Sequence, residues 1–350
     1  MWAVPWASVH VDAMTLPQPL GRISDVARRV QAAGFSGLLF TETGRTPYLN
    51  AAVASQAAPG LELSTGVAVA FPRSPFVSAA TAWELQEAVH QQNPAGNFRL
   101  GLGTQVRTHV VRRYGSAFEH PGPRLRDYVL AVKSCFAAFR TGTLDHHGEF
   151  YDLDFITPQW SPGPIAAPDP KVDVAAVNPW MLRMAGAVAD GVHVHPIGEP
   201  GYLRRHVVPA VTEGAAEAGR CASDIALIVP VMTIVGDTDE ERDTERELVR
   251  ASMSFYGSTP NYAFIWDEAG FEGTTARIRE KQKAGDFAGM AAQITDEHIA
   301  IFATESTWDD LAGALAAKYG GVASRIVLYN ALTNPQRLER YGEVAHRLRQ

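Results

Sequence analysis

The stretch "VDVAAVNPWMLRMAGAVADGVHVHP", Val172 to Pro196, decides how the chain is read. An apolar, β-branched run ends at Val177 and Asn-Pro follows at once. A helical pattern then continues to about Ala189, and a second strand-like run, Gly191–His195, comes next. Runs that are apolar throughout, rather than alternating, form strands buried on both faces, as in parallel sheets covered by helices. Asn178 is placed to cap the helix and Pro179 to open it, since Asn accepts from a first-turn amide and Pro has no N–H to leave unpaired. At a ligand-binding face, such a first turn offers N–H donors and the positive end of the helix dipole to an anion. Capping with water as the only partner explains the same two residues, and both readings stay open at this point.

The same strand–helix alternation extends on both sides. "SVHVDAM" reads as a first strand, "SGLLFTE" as a second, "LELSTGVAVAF" as a third and "FRLGLGT" as a fourth. The helical patterns "LGRISDVARRVQAAGF", "TPYLNAAVASQAA", "SPFVSAATAWELQEAVHQ" and "PRLRDYVLAVKSCFAAF" follow them in turn, the last after the loop "QVRTHVVRRYGSAFEHPG". The opening stretch supplies strands five and six. "DIALIVPVMTIVG" is the seventh, and "SRIVLYN", after the helix "STWDDLAGALAAKYG", is the eighth. The fold class expected is therefore α/β, a (β/α)8 TIM barrel, with residues 1–350 as one domain. Two insertions interrupt it, about 140–170, where "GTLDHHGEFYDL" reads as an outer hairpin, and about 237–305, helical and irregular. A doubly wound sheet would want a GxGxxG after an early strand, and the chain has none.

Bulk properties narrow the function. With 46% hydrophobic and 20% charged residues among 350, the composition is that of an ordinary globular protein, and the net charge of -7 argues against a nucleic-acid partner. Cys135 and Cys221 are the only cysteines and form no CxxC, so neither a disulfide framework nor a structural zinc site is expected, and a reducing cytoplasm fits. The beginning, "MWAVPWASVHVDAMTLP", lacks a basic n-region and contains Asp12, so no signal peptide is expected, and Met1–Ala7 read as a loose extension. No apolar run reaches membrane-spanning length, so no membrane partner is expected.

In a barrel of this kind the ligand site lies at the carboxyl ends of the strands. That rule selects Met14 and Thr15, "TETGR" (Thr41–Arg45), "AFPRSP" (Ala70–Pro75), "GTQVRTH" (Gly103–His109), Val177 and Asn178, His193 and His195, and Tyr329 and Asn330. The glycines of "LGLGT" (Leu100–Thr104) mark close approach, either of a ligand or of neighbouring backbone. Arg107, Arg112 and Arg113 form a basic run able to hold anions or simply to face solvent. His193 and His195 share one side of a strand, as paired metal ligands do in barrel hydrolases, but the further ligands such a site needs are missing from other strand ends. No GxSxG, HExxH or GxxxxGK[ST] occurs.

Five fragments together carry a resemblance: "AAGFSGLLFTET", "STGVAVAFPRSPFVSAATAWELQ", "FRLGLGTQVRTHVVRRYG", "HHGEFYDL" and "VAAVNPWMLRMAGAVADG". In this order the chain, from about Val9 to Leu332, resembles the luciferase-like monooxygenase superfamily, and more narrowly its deazaflavin-dependent oxidoreductases. The resemblance implies coenzyme F420, or FMN instead, across the barrel mouth, and a non-prolyl cis peptide in strand three near Gly66–Val67. It implies that Gly66, Val67 and Ala68 back the ring, that Thr104 and His109 lie in a loop touching the cofactor, and that Ala175, Ala176, Val177 and Asn178 line its ribityl and phosphate side. His193 and His195 would border the phosphate tail. Relatives carry a histidine after strand two as acid or base; this chain has Glu42-Thr43 there. Glu42 is thus a catalytic candidate, alongside His109, if its pocket favours the protonated carboxyl; a carboxylate hydrogen-bonded inside the barrel is the alternative.

The activity expected is hydride transfer between F420 and a small organic substrate, with Arg45, Arg73 and Arg107 pairing with the substrate or an acidic coenzyme tail. An FMNH2-dependent monooxygenase of the same fold is the alternative, with the 237–305 insertion as its lid; a metal-dependent barrel hydrolase is the alternative of another class. No resident metal is expected. The resemblance also implies a homodimer or higher homo-oligomer.

Overall fold

Apolar runs become parallel strands in the computed structural model, which describes residues 9–350. The extension read over Met1–Ala7 lies outside the described residues. In chain order the elements begin β1 (His10–Thr15), α1 (Leu20–Ala32), β2 (Gly37–Phe40), α2 (Pro47–Ala57), β3 (Glu62–Thr65), β4 (Ala68–Val69) and α3 (Pro75–Gln92). Then come β5 (Phe98–Gly103), α4 (Arg107–Arg112), α5 (Pro121–Thr141), β6 (His146–His147), β7 (Asp152–Leu153), β8 (Lys171–Ala175), α6 (Pro179–Val188) and β9 (Gly191–His193). A helix α7 (Pro200–Tyr202) passes through a π-helical turn into α8 (Val208–Glu217), and β10 (Ala226–Val235) follows. The remainder is α9 (Asp239–Gly257), α10 (Ala263–Glu268), α11 (Thr274–Lys283), α12 (Phe287–Ala291), α13 (Asp296–Phe302), β11 (Ala303–Ser306), α14 (Leu311–Tyr319), β12 (Arg325–Leu328) and α15 (Leu338–Arg347). The fold class is α/β, a (β/α)8 barrel, as the alternation predicts.

Two compact units are distinguished. In the first, residues 12–193 with 210–227, every strand of the main sheet is parallel to its neighbour. β1 pairs with β2 (Asp12↔Gly37 to Thr15↔Phe40), β2 with β3, β3 and β4 with β5, β5 with β8 and β8 with β9 (Asp173↔Gly191 to Ala175↔His193). All residues of β2 and of β5 are buried, which is why their runs are continuous rather than alternating. Helices cover the sheet: Trp83 of α3 stacks on Phe136 of α5 at 5.6 Å and meets Phe139 edge-on. The antiparallel hairpin β6–β7 stands apart from the main sheet, as read from sequence. Asp127 of α5 ties it down, accepting from Phe150 N–H (2.6 Å), Tyr151 N–H (2.9 Å) and pairing with His146 Nε2 (2.8 Å).

In the second unit, residues 9–11, 194–209 and 228–350, the long strand β10 has two parallel partners. Its first half pairs with β12 (Ile228↔Arg325 to Val231↔Leu328) and its second with β11 (Met232↔Ala303 to Val235↔Ser306). The 237–305 segment is a set of helices, α9 to α13, running into β11.

Three local expectations differ. The third strand is not continuous: it breaks into β3 and β4 at Gly66–Val67, whose peptide bond is cis, where the resemblance put one. The loop after β5 contains α4, six residues long and too short for periodicity to reveal. β11, "ATES", is paired by its neighbour β10 and carries no apolar run of its own. No helix among the described residues is long and apolar enough to cross a membrane.

Candidate functional site

The carboxyl ends of β3, β4, β5 and β8 meet through their smallest residues. A Cβ built on Gly103 would lie 2.8 Å from Val67 Cγ2 and 3.7 Å from Ala175 Cβ; one on Gly66 would lie 2.9 Å from Leu39 Cδ2. Gly66 and Val67 are partly exposed and Ala68 is buried, so the break in the third strand turns a narrow, side-chain-poor wall outward. Ala175 and Val177 are half-buried, Ala176 buried and Asn178 exposed beside it. The structure thus brings Gly66, Val67, Ala68, Ala175 and Ala176 together with Gly103, which the sequence placed in a strand without choosing its role. Gly101, two residues earlier, belongs to packing: a Cβ there would sit 2.1 Å from the Thr65 carbonyl oxygen and 2.5 Å from His193 Nε2.

Glu42 and Arg73 are brought together, which neither motif foretold. Arg73 Nη2 donates to Glu42 Oε1 (2.6 Å) and Nη1 to Oε2 (3.0 Å), while Glu42 Oε2 also accepts the Val69 N–H (2.7 Å). The Glu42 side chain is 5% exposed. The carboxyl thus takes three N–H donors, two from one bidentate guanidinium and one from Val69. This is the second of the two roles considered for it, a carboxylate hydrogen-bonded within the barrel. Burial works against the Arg73 charge, but the hydrogen bonds and charge of Glu42 outweigh it and raise its pKa further. Arg73 is therefore committed to Glu42 rather than turned to a substrate. Its guanidinium lies 5.0 Å over the Tyr48 ring, and burial pushes the Tyr48 phenol up to about 12.

Past β5, Thr104 donates to the Gln105 carbonyl (3.0 Å), and Gln105 takes a left-handed backbone with φ 57°. Arg107 turns to the Phe118 carbonyl (2.9 Å), so it too has a protein partner. His109 sits half-buried on α4 with Nδ1 enclosed and, among the described residues, without a hydrogen-bond partner. Arg45 is exposed on the loop before α2.

At α6, Asn178 caps as expected, its Oδ1 accepting from Met181 N–H (2.9 Å) and its carbonyl from Leu182 N–H (3.0 Å). The first turn offers an anion less than the sequence suggested. Pro179 has no N–H and Met181's is taken by the cap, which leaves the amide of Trp180.

His193 and His195 do not act as a pair. His193 is buried over Gly101, its Nε2 3.8 Å from Asp173 Oδ2, and Asp173 is gripped by Arg99. In the second unit His195 is buried against tyrosine rings, 3.9 Å from Tyr262 and 5.4 Å from Tyr256 between centroids, and Tyr256 shares a 2.7 Å hydroxyl contact with Tyr329. Burial lowers its pKa to about 3, so the ring is neutral. The shared strand face suggested a metal pair; the chain leaves the strand after His193, and the next histidine packs among phenols.

A family model described as luciferase-like monooxygenase matches residues 3–325. An uncharacterized protein of Mycobacterium tuberculosis is 35% identical over 314 residues, covering 89% of this chain and 91% of that protein. The 5,10-methylenetetrahydromethanopterin reductase of Archaeoglobus fulgidus is 24% identical over 259 residues, covering 72% of this chain and 71% of that one. The fold matches the solved coenzyme F420 dependent tetrahydromethanopterin reductase from Methanopyrus kandleri with a TM-score of 0.80, at 17% identity, over 96% of this chain and 98% of that chain. The ordered fragments, the barrel and the match across residues 3–325 agree, and the chain belongs to the luciferase-like monooxygenase family.

Proposed function

We propose that the protein is a coenzyme F420-dependent oxidoreductase that transfers a hydride between the deazaflavin and a small organic substrate. The observation that carries this reading is the wall built by Gly66, Val67, Ala68, Gly103 and Ala175, where a Cβ on Gly103 would collide with Val67. A planar ring system needs close approach to backbone, and glycine at the converging strand ends allows it. When bound, the deazaflavin supplies the carbon that gives or takes the hydride; the protein supplies orientation and exclusion of water. Fold likeness to an F420-dependent reductase and sequence likeness to a methylenetetrahydromethanopterin reductase favour this cofactor and a small substrate.

In this reading Ala175, Ala176, Val177 and Asn178, with the Trp180 amide, hold the ribityl and phosphate side. Thr104 and His109 stand on the loop facing the cofactor. His109 holds or moves the proton, because its Nδ1 is enclosed and without a hydrogen-bond partner among the described residues, while both oxygens of Glu42 are occupied. Arg45 is the guanidinium left for an anionic group. His193 and His195 serve packing rather than the phosphate tail. We place the enzyme in the cytoplasm as a homodimer; burial pushes the Cys135 thiol up to about 12, which leaves it inert.

The family's name supports a second reading, an FMNH2-dependent monooxygenase. Anaerobic titration with F420 and with FMN separates the two. Binding of F420, with its absorbance changing on addition of a hydride donor, supports the proposal. Tight binding of FMN alone, with oxygen uptake when FMNH2 is supplied, overturns it.

A further inference from the structure

We propose that Glu42 and Arg73 are a positioning pair that stands in for a missing strand along Val69 and so fixes the 66–69 wall of the cofactor site. The inference rests on the function proposed above. One edge of β4 is satisfied by backbone: Ala68 and Val69 register with Leu102 and Gly103, and Ala70 N–H donates to the Gly103 carbonyl (3.0 Å). The other edge faces the end of β2. There the Phe40 carbonyl takes the Gly66 N–H (2.9 Å), and the strand β2 ends at Phe40, with Thr41 N–H and hydroxyl directed to the Thr15 carbonyl on the opposite side (3.4 and 3.2 Å). Among the described residues, Val69 meets side chains rather than backbone on that side.

Side chains fill the gap. Glu42 Oε2 accepts the Val69 N–H (2.7 Å) and Arg73 Nη1 donates to the Val69 carbonyl (2.9 Å). The carboxylate and guanidinium are joined by two hydrogen bonds of their own, so one acceptor and one donor are presented at fixed spacing, as a neighbouring strand residue would present them. Tyr48 covers the guanidinium from another side at 5.0 Å. Val69 registers with Gly103, and Gly103 faces Val67 and Ala175. Anything that loosens Val69 therefore loosens the wall itself. This gives the Glu42-Thr43 departure a physical role: Glu42 holds backbone and transfers no proton.

The test compares wild type with Glu42→Ala, Arg73→Ala, Glu42→Gln and Arg73→Lys. It measures hydrogen exchange at the Val69 amide, the dissociation constants for F420 and FMN, the circular dichroism of bound coenzyme and the pH–rate profile. Both alanine variants are expected to lose protection at Val69 and to bind coenzyme roughly ten-fold or more weakly, with a changed dichroic band. Glu42→Gln, whose amide oxygen can still accept from Val69 and Arg73 Nη1 while its NH2 meets Arg73 Nη2, is expected to lose less affinity than Glu42→Ala and to keep an unaltered pH–rate profile. Should the alanine variants fail to fold, Glu42→Gln and Arg73→Lys decide by the same readouts. Unchanged Val69 exchange and coenzyme affinity in the alanine variants would overturn the inference. So would a Glu42→Gln variant that binds normally but loses turnover together with one limb of the profile. A wild type that binds neither coenzyme overturns the proposed function as well, whereas wild-type binding matched by the alanine variants overturns only the positioning role.

Discussion

Arg99 grips Asp173 with two hydrogen bonds, Nε to Oδ2 at 2.8 Å and Nη2 to Oδ1 at 2.6 Å, and Asp173 is wholly buried. The two lie on the adjacent parallel strands β5 and β8, and the carboxylate also faces His193. Removing one partner of a buried ion pair strands the other charge, which costs about 3–5 kcal/mol. Asp173→Ala is expected to lower the unfolding free energy from urea titration by that order, and an unchanged midpoint would contradict the assignment.

The buried His195 makes stability depend on acid. Its folded-state pKa is about 3 against an ordinary 6.5, because burial among Tyr256 and Tyr262 disfavours the charged ring. As pH falls below 6.5 the unfolded chain takes up a proton that the folded chain refuses. Stability is complete above that pH and declines toward pH 3, by up to about 1.4 kcal/mol per pH unit. His298, lowered to about 4 by burial, acts in the same direction. Thermal midpoints of His195→Phe are expected to fall less steeply with acid than those of wild type; parallel curves would show that the ring does not carry this term.

Gly101 and Gly103 should respond oppositely to alanine. A Cβ on Gly101 meets the Thr65 carbonyl oxygen at 2.1 Å, and backbone cannot yield cheaply. Gly101→Ala is expected to cost about 3 kcal/mol or more of stability. At Gly103 the obstacle is a side-chain methyl of Val67 at 2.8 Å, which can move where backbone cannot. Gly103→Ala should fold and lose coenzyme affinity. Calorimetry beside a binding titration checks both, and a Gly103→Ala variant binding as wild type would remove the wall from the site.

Asn178 separates capping from anion binding. Asn178→Ala should cost about 1 kcal/mol, since the Met181 amide loses its acceptor. Asn178→Asp keeps the cap and the stability but puts a negative charge beside the Trp180 amide, so binding of an anionic coenzyme should weaken. If Asn178→Asp binds coenzyme unchanged, the anion lies elsewhere.

What could be read from sequence was what neighbours in the chain decide. β2, β10 and the Ile326–Leu328 part of β12 announce themselves as continuous apolar runs, and Asn178-Pro179 announces a capped helix. What escaped depends on residues far apart. Glu42 and Arg73 are 31 positions apart, and only the rule that both loops follow strand ends placed them on one face. The different fates of Gly101 and Gly103 turn on which neighbour each meets in the sheet, and "LGLGT" reads the same for both. β11 forms because β10 offers it an edge; its own four residues would not declare a strand.

The two side chains along Val69 also bear on how such a wall can diverge. An edge bonded to another strand is written in backbone and resists retuning by any single substitution. Here two codons set the spacing and stiffness of that edge. A lineage can trade grip for slack at this point while leaving the rest of the sheet untouched.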